Sequence, residues 1–127
     1  MSDMRTPLSR VRGLGSAKTG TEHFWAQRAT AFALVPLAIF LIASVVALAG
    51  SDYETVRHYA GNPLVAIALL ALIGAGVYHM RIGMQVVIED YVTTEGPKVL
   101  SLLANSFFAV LVGLACVYAV LKIGFGA

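Results

Sequence analysis

Polar side chains that interrupt an apolar stretch are the first place to look for chemistry. The segment YHMRIGMQVVIEDY, residues 78–91, carries His79 inside the apolar run and Asp90 and Tyr91 where the run stops. Polar groups inside hydrocarbon are costly, and those that occur there usually mark a functional site. An imidazole can ligate a metal, and a tyrosine beside a carboxylate can donate a hydrogen bond or take part in proton delivery.

Glycines flank His79 on its own side of the helix that this segment predicts. Because a helix turns about 100° per residue, Gly76 and Gly83 lie on nearly the same helix face as His79, one turn to either side of it. A planar macrocycle held by the imidazole needs such a bare surface, and together with Gly74 the same glycines would let another helix approach. A second interpretation is that His79 only hydrogen-bonds a neighbouring helix, and the residues alone leave both interpretations open.

Each of the polar residues near the membrane boundary has a structural and a functional interpretation. Asp90 follows His79 by 11 positions, which returns it to within about 20° of the same face and some 16 Å nearer the surface. Tyr91 is either an interfacial anchor or a donor to a ligand carbonyl. Arg28 is either a basic residue that sets the topology or a clamp for an anionic group such as a propionate.

The remaining histidines are poor partners for His79 in a shared metal site. His23 is expected to precede the first span and His58 to lie in the following loop, both at unsuitable depths. A second imidazole ligand would therefore come from another chain. Arg81 points about 200° away from His79, so we expect it to extend toward the surface or to pair with a partner subunit.

The composition assigns these residues to a membrane protein. Hydrophobic residues make up 58% of the 127 residues and charged residues only 13%, whereas soluble domains average about a quarter charged. Residues 29–50, 63–80 and 99–121 contain no charge, and about 20 apolar residues span a bilayer as a helix. We predict an all-α membrane protein with three transmembrane helices, up-down-up, at about 28–50, 63–89 and 99–123.

The charge distribution predicts how the chain is oriented. Five of the nine basic residues precede the first span, whereas residues 51–62 contain only Arg57. By the positive-inside rule the amino terminus lies on the cytoplasmic side. We expect a multi-pass protein of the bacterial inner membrane, with a basic docking arm at 1–22, an anchor at 23–127, and no cleavable signal peptide.

Two stretches together resemble a known family over nearly the whole chain. One is HMRIGMQVV, residues 79–87, closing in Asp90-Tyr91; the other is HFWAQRATA, residues 23–31, at the start of the first span. The sequence is similar to the small hydrophobic membrane anchor subunit of succinate dehydrogenase, the subunit usually called D. The spacing from the histidine to the Asp-Tyr pair is the most specific part of this resemblance.

The resemblance implies a role for each candidate residue. His79 would be one axial ligand of the iron of a b-type haem, with the companion cytochrome b subunit supplying the other, and Arg28 would lie near the haem propionates. Tyr91 would hydrogen-bond the substrate ubiquinone beside the iron-sulfur subunit, and Asp90 would support that site. Electrons from succinate would arrive through the flavoprotein and iron-sulfur subunits, so this subunit would not be catalytic alone.

The resemblance leaves two alternatives to consider. One is the anchor of a fumarate reductase, in which electrons flow in the opposite direction. The other is a transporter or a purely structural three-helix subunit without a redox role. The lipid bilayer and the other subunits are the expected partners, and no nucleic acid is expected among them.

Overall fold

The computed structural model describes residues 6–13 and 19–125, and within these ranges all regular structure is helical. Five helices follow one another: α1 (Pro7–Val11), α2 (Thr19–Ala47), α3 (Tyr53–Ala60), α4 (Pro63–Tyr91) and α5 (Glu95–Gly124). Three of them, α2, α4 and α5, are long and apolar enough to cross a membrane. The predicted all-α fold with three spans, up-down-up, is confirmed.

The middle helix α4 begins at Pro63 as predicted and ends two residues later than predicted, whereas α2 and α5 begin several residues earlier than predicted. The first begins at Thr19 rather than near residue 28 and ends at Ala47, so His23 lies inside α2 and not before it. Similarly, α5 begins at Glu95 rather than near residue 99 and contains Gly96 and Pro97 in its first turn. Hydropathy marks only the part of a helix inside hydrocarbon, and polar flanking turns continue it, since proline is tolerated in a first turn.

The predicted docking arm is only partly within the described residues. Within this arm, residues 7–11 form the short helix α1. Thr6 caps it, because its hydroxyl accepts a hydrogen bond from the backbone N–H of Ser9 at 3.2 Å. Residues 1–5 and 14–18 lie outside the described residues, and the docking role stays a prediction.

The connection between the first two spans contains a helix that the sequence analysis did not predict. Asp52 caps α3, because its carboxylate accepts a hydrogen bond from the backbone N–H of Thr55 at 3.2 Å. Hydrogen bonding to Thr55 holds the pKa of the Asp52 carboxyl below its usual value. Asn62 caps α4 in the same way, accepting from the N–H of Leu64 at 2.9 Å, and Pro63 takes the first helical position.

The long helices form a row rather than a closed bundle. The middle helix α4 packs against α2 on one side and α5 on the other, and over the described ranges α2 and α5 do not pack together. Only Ile82 and Ala109 are buried among the described residues. The row therefore has almost no interior over the described ranges, and most of its side chains must face lipid or other subunits.

Candidate functional site

The side chain of His79 is fixed by a hydrogen bond to the neighbouring helix. Its Nδ1 lies 3.0 Å from the hydroxyl oxygen of Thr30, so residues 49 positions apart join α4 to α2. The same hydroxyl oxygen lies 2.8 Å from the carbonyl oxygen of Ala26 and 3.1 Å from that of Gln27. A threonine inside a helix commonly makes such a bond to the carbonyl four residues back. The interpretation in which His79 hydrogen-bonds a neighbouring helix is thus correct for one ring nitrogen.

The other ring nitrogen of His79, Nε2, has no hydrogen-bond partner within residues 6–13 and 19–125. It is therefore available to a ligand that the described residues do not supply. No three histidine, cysteine, aspartate or glutamate side chains converge in the described part of the chain. A single imidazole is nevertheless the usual protein contribution on one face of a haem iron, because the macrocycle supplies the four equatorial ligands.

An open groove lies between α2 and α4, and its lining begins with the residues that follow His79 in α4 and does not include His79 itself. We call it the α2–α4 groove; it measures about 440 Å³. Its lining comes from α2 and from α4: His23, Phe24, Gln27, Arg28, Ile82, Gly83 and Val86. Because Ile82 and Gly83 follow His79 by three and four positions, the groove begins about one helical turn, roughly 5 Å, farther along the axis of α4 than His79. The groove joins a cationic end to an apolar wall, a combination that fits a flat apolar group with anionic substituents.

The glycines around His79 do not form one continuous bare surface for a macrocycle, but Gly76 and Gly83 do allow the close helix approach that was also predicted. A Cβ at Gly76 would lie 3.8 Å from Leu34 Cδ2, and one at Gly83 would lie 3.5 Å from Gln27 Nε2. Both glycines therefore face α2, where small residues allow helices to approach closely. Only Gly83 also lines the groove, whereas a Cβ at Gly74 would meet nothing within 4 Å. Of the three glycines, Gly83 is thus the one at which a ligand in the groove would meet bare backbone.

Two basic side chains predicted to lie near the membrane surface line this groove. The guanidinium carbon of Arg28 lies 4.9 Å from the centre of the Phe24 ring, a cation–π contact that holds it at the groove. Within the described residues Arg28 makes no ion pair, so its charge is available to an anion. His23 also lines the groove, but it precedes Thr30 by seven positions, roughly 10 Å along α2, and so lies too far away to share a metal with His79.

Asp90 and Tyr91 are located at the exposed end of α4. Tyr91 is 81% exposed, and neither side chain is hydrogen-bonded to a described residue. A hydrogen bond joins the end of α4 to the first turn of α5: Lys98 Nζ donates to the carbonyl oxygen of Glu89 at 3.1 Å. The two side chains are thus held at a defined end of the row, but residues 6–13 and 19–125 do not enclose them.

The contact of Arg81 was not foreseen from the sequence. Its Nε donates to the hydroxyl of Ser106 at 3.3 Å, and Asn105 Nδ2 donates to the carbonyl oxygen of Arg81 at 2.9 Å. Arg81 therefore joins α4 to α5 instead of depending only on the surface or on a partner subunit. Helical geometry correctly predicted that Arg81 points away from His79. No feature of a single sequence identifies which residues of α5 Arg81 contacts.

Thr30 and Gln27 are the site residues that the sequence analysis missed. Both lie in HFWAQRATA, the stretch that carries part of the resemblance, but no role was assigned to them. The available signal was a hydroxyl inside an apolar span, which needs an acceptor in its own helix and can then accept a further hydrogen bond. The register of α2 against α4 was needed to pair Thr30 with His79.

Comparisons with known proteins concern the sequence as a whole and identify its family. The family model described as "Succinate dehydrogenase/Fumarate reductase transmembrane subunit" matches residues 2–113. The succinate dehydrogenase hydrophobic membrane anchor subunit of Rickettsia bellii is 33% identical over 118 residues, 93% of this chain and 94% of that protein. The subunit of the same name from Paracoccus denitrificans is 32% identical over 122 residues, 96% of this chain and 94% of that protein.

A more distant match and the solved structures complete the comparison. The succinate dehydrogenase membrane anchor subunit of Reclinomonas americana is 31% identical over 88 residues, 67% of this chain and 73% of that protein. No solved structure matches the chain at a significant level. With a family model that covers most of the sequence and relatives above 30% identity over nearly its full length, the chain belongs to the family of succinate dehydrogenase hydrophobic membrane anchor subunits.

Proposed function

We propose that this subunit anchors a succinate dehydrogenase in the bacterial inner membrane and contributes His79 as one axial ligand of a b-type haem. The observation that carries the proposal is the state of His79: Nδ1 is held by Thr30, and Nε2 has no partner within the described residues. A membrane-embedded imidazole without a partner on one nitrogen is costly unless it binds a ligand. The other axial ligand would come from the cytochrome b subunit, since neither His23 nor His58 lies at the depth of His79.

The α2–α4 groove fits the remainder of the haem. A bound haem would supply a one-electron carrier inside the membrane. Arg28, unpaired within the described residues, would bind a propionate, and its contact with Phe24 holds the guanidinium at the groove. Gly83 has no side chain and would therefore leave space in the wall of the groove for the edge of the macrocycle. These side chains bind and orient the group, and Ile82, which is 4% exposed, helps to exclude water.

Tyr91 and Asp90 would form this subunit's part of a ubiquinone reduction site. The phenol of Tyr91 is 81% exposed and can donate a hydrogen bond to a quinone carbonyl. Asp90, next to it, would orient the hydroxyl and pass protons from the aqueous phase. Because the described residues do not enclose either side chain, we propose that the cytochrome b and iron-sulfur subunits provide the other walls of the site.

The proposal assigns no succinate oxidation to this chain. Electrons would pass from succinate through the flavoprotein and iron-sulfur subunits to the quinone beside Tyr91. The amino terminus would lie on the cytoplasmic side, as the five basic residues from the amino terminus up to and including Arg28 indicate. A fumarate reductase anchor is the second candidate because the family description names both enzymes, but the matched relatives are named as succinate dehydrogenase subunits.

The haem assignment can be tested with optical spectra of the complex purified with its partner subunits. We expect a b-type signal in the dithionite-reduced minus oxidised spectrum that is lost or strongly reduced in His79→Leu. The matched control is His58→Leu, which removes an exposed imidazole from α3 at the other end of the row and should leave the signal unchanged. An assembled His79→Leu complex with the full signal would remove His79 as a ligand.

A further inference from the structure

We infer that Thr30 is a positioning residue for the haem ligand: its hydroxyl selects the tautomer of His79 in which Nδ1 carries the proton and Nε2 carries the free lone pair. This inference rests on the proposed haem ligation. It concerns a residue that does not itself touch the iron and lies on a different helix from the ligand, 49 positions away in sequence.

The hydrogen-bond geometry around the Thr30 hydroxyl determines the direction of the bond. Its oxygen lies 2.8 Å from the carbonyl oxygen of Ala26, 3.1 Å from that of Gln27 and 3.0 Å from His79 Nδ1. Carbonyl oxygens only accept hydrogen bonds, and a hydroxyl has one proton. If that proton pointed to Nδ1, the hydroxyl oxygen would face two carbonyl oxygens at contact distance with no hydrogen between them. The hydroxyl therefore donates to a carbonyl, and Nδ1–H donates to the hydroxyl.

The protonation of Nδ1 determines what Nε2 can do. A neutral imidazole carries one N–H and one lone pair, so a proton on Nδ1 leaves Nε2 as the atom that can ligate iron. In metal sites the second ring nitrogen commonly donates to an outer acceptor, which fixes the orientation of the ring and raises the basicity of the ligating nitrogen. Thr30 fills that position here, with its own proton directed into the backbone of α2.

The strength of the ligand should affect the redox potential of the haem. A more basic axial nitrogen stabilises the ferric state relative to the ferrous state, which lowers the midpoint potential. Without the acceptor at Thr30, the Nδ1–H of His79 would be left without a partner, or the ring would rotate. Either change weakens donation from Nε2, so the potential should rise and the haem should be held less tightly.

The test compares two substitutions of Thr30 in the assembled complex with its partner subunits. Thr30→Val keeps the shape of the side chain and removes the hydroxyl, whereas Thr30→Ser keeps the hydroxyl. Ser44→Ala is the matched control on α2, because Ser44 also bonds a backbone carbonyl, that of Phe40 at 2.8 Å, and contacts another helix through Tyr59 OH at 2.7 Å. Haem content, midpoint potential and the electron paramagnetic resonance g-values of the oxidised haem are measured for each.

We expect Thr30→Val to change the ferric-to-ferrous ratio at fixed potential two- to tenfold, which at 59 mV per tenfold raises the midpoint by about 20–60 mV. Its haem retention should fall about tenfold, as is typical for loss of an outer hydrogen-bond partner. Thr30→Ser and Ser44→Ala should keep the wild-type potential and g-values.

The possible outcomes separate the two proposals. If the wild-type complex contains haem that is lost in His79→Leu, but Thr30→Val has the wild-type potential and g-values, the inference about Thr30 is wrong and the proposed function stands. If His79→Leu keeps its haem, the proposed ligation itself is wrong. Equal shifts in Thr30→Val and Ser44→Ala would mean that loosened helix packing, and not the hydrogen bond to His79, sets the potential.

Discussion

The space around Gly83 gives the sharpest quantitative prediction of how the groove accepts a flat ligand. A Cβ at Gly83 would lie 3.5 Å from Gln27 Nε2, an ordinary van der Waals contact. Gly83→Ala should therefore be accepted, and because alanine favours a helix over glycine by about 1 kcal/mol, it should stabilise α4 slightly. The haem spectrum of this variant should match that of the wild type.

A larger side chain at Gly83 should have the opposite effect. Gly83→Leu adds three further carbons beyond the contact that Cβ already makes, and overpacking of this kind costs about 1–3 kcal/mol. Since 1.4 kcal/mol is a factor of ten in an equilibrium constant, haem retention should fall about five- to 150-fold. The assay is the haem content per assembled complex, measured after dilution into detergent buffer.

Gly74→Leu is the control for this series. It makes the same exchange on the same helix with the same gain in helix propensity, but a Cβ at Gly74 would meet nothing within 4 Å. It should keep the wild-type haem content. Equal haem loss in Gly74→Leu and Gly83→Leu, or full haem retention in Gly83→Leu, would refute the conclusion that the α2–α4 groove receives the haem at Gly83.

Three further predictions concern other parts of the molecule. Tyr91→Phe should lower succinate–ubiquinone reductase activity at least tenfold while succinate oxidation with a soluble dye continues; equal loss of both activities would indicate failed assembly instead. Ser106→Ala removes the acceptor of Arg81 Nε and should cost about 0.5–1.5 kcal/mol of complex stability, visible as a lower thermal midpoint without a change in the haem spectrum. Because the pKa of Asp52 is lowered in the folded protein, its cap stabilises α3 fully at pH values above the ordinary carboxyl pKa. This stabilisation is lost as the pH falls through the lowered pKa. Asp52→Asn keeps a capping oxygen and should abolish this acid dependence of α3 in circular dichroism or limited proteolysis; an unchanged acid dependence would contradict that assignment.

The parts of the fold that depend on composition could be predicted from the sequence. Long apolar runs without charge predicted three helices, because hydrocarbon leaves the backbone few other ways to satisfy its hydrogen bonds. The boundaries were less accurate: Thr19 and Glu95 begin helices several residues earlier than the apolar runs do. Helix α3 was missed because its eight residues carry no hydrophobic run, although Asp52 with Thr55 is a recognisable cap.

The site could be predicted only where one helix determined it. The direction of His79 and the opposite direction of Arg81 follow from helical periodicity, and both agree with the packing of α4 between α2 and α5. The partners Thr30 and Ser106 depend on how neighbouring helices are registered, which local sequence does not encode. For the same reason the glycines were interpreted as an open surface, although Gly76 lies against Leu34 of α2.

The most direct test of the central claim is the near-infrared magnetic circular dichroism spectrum of the oxidised complex, in which the charge-transfer band identifies the two axial ligands of a low-spin haem. We expect the band of two imidazole ligands in the wild type. In His79→Met the band should move to the position of an imidazole–thioether pair, or the haem should be lost. An unchanged imidazole–imidazole band in an assembled His79→Met complex would show that His79 does not ligate the iron.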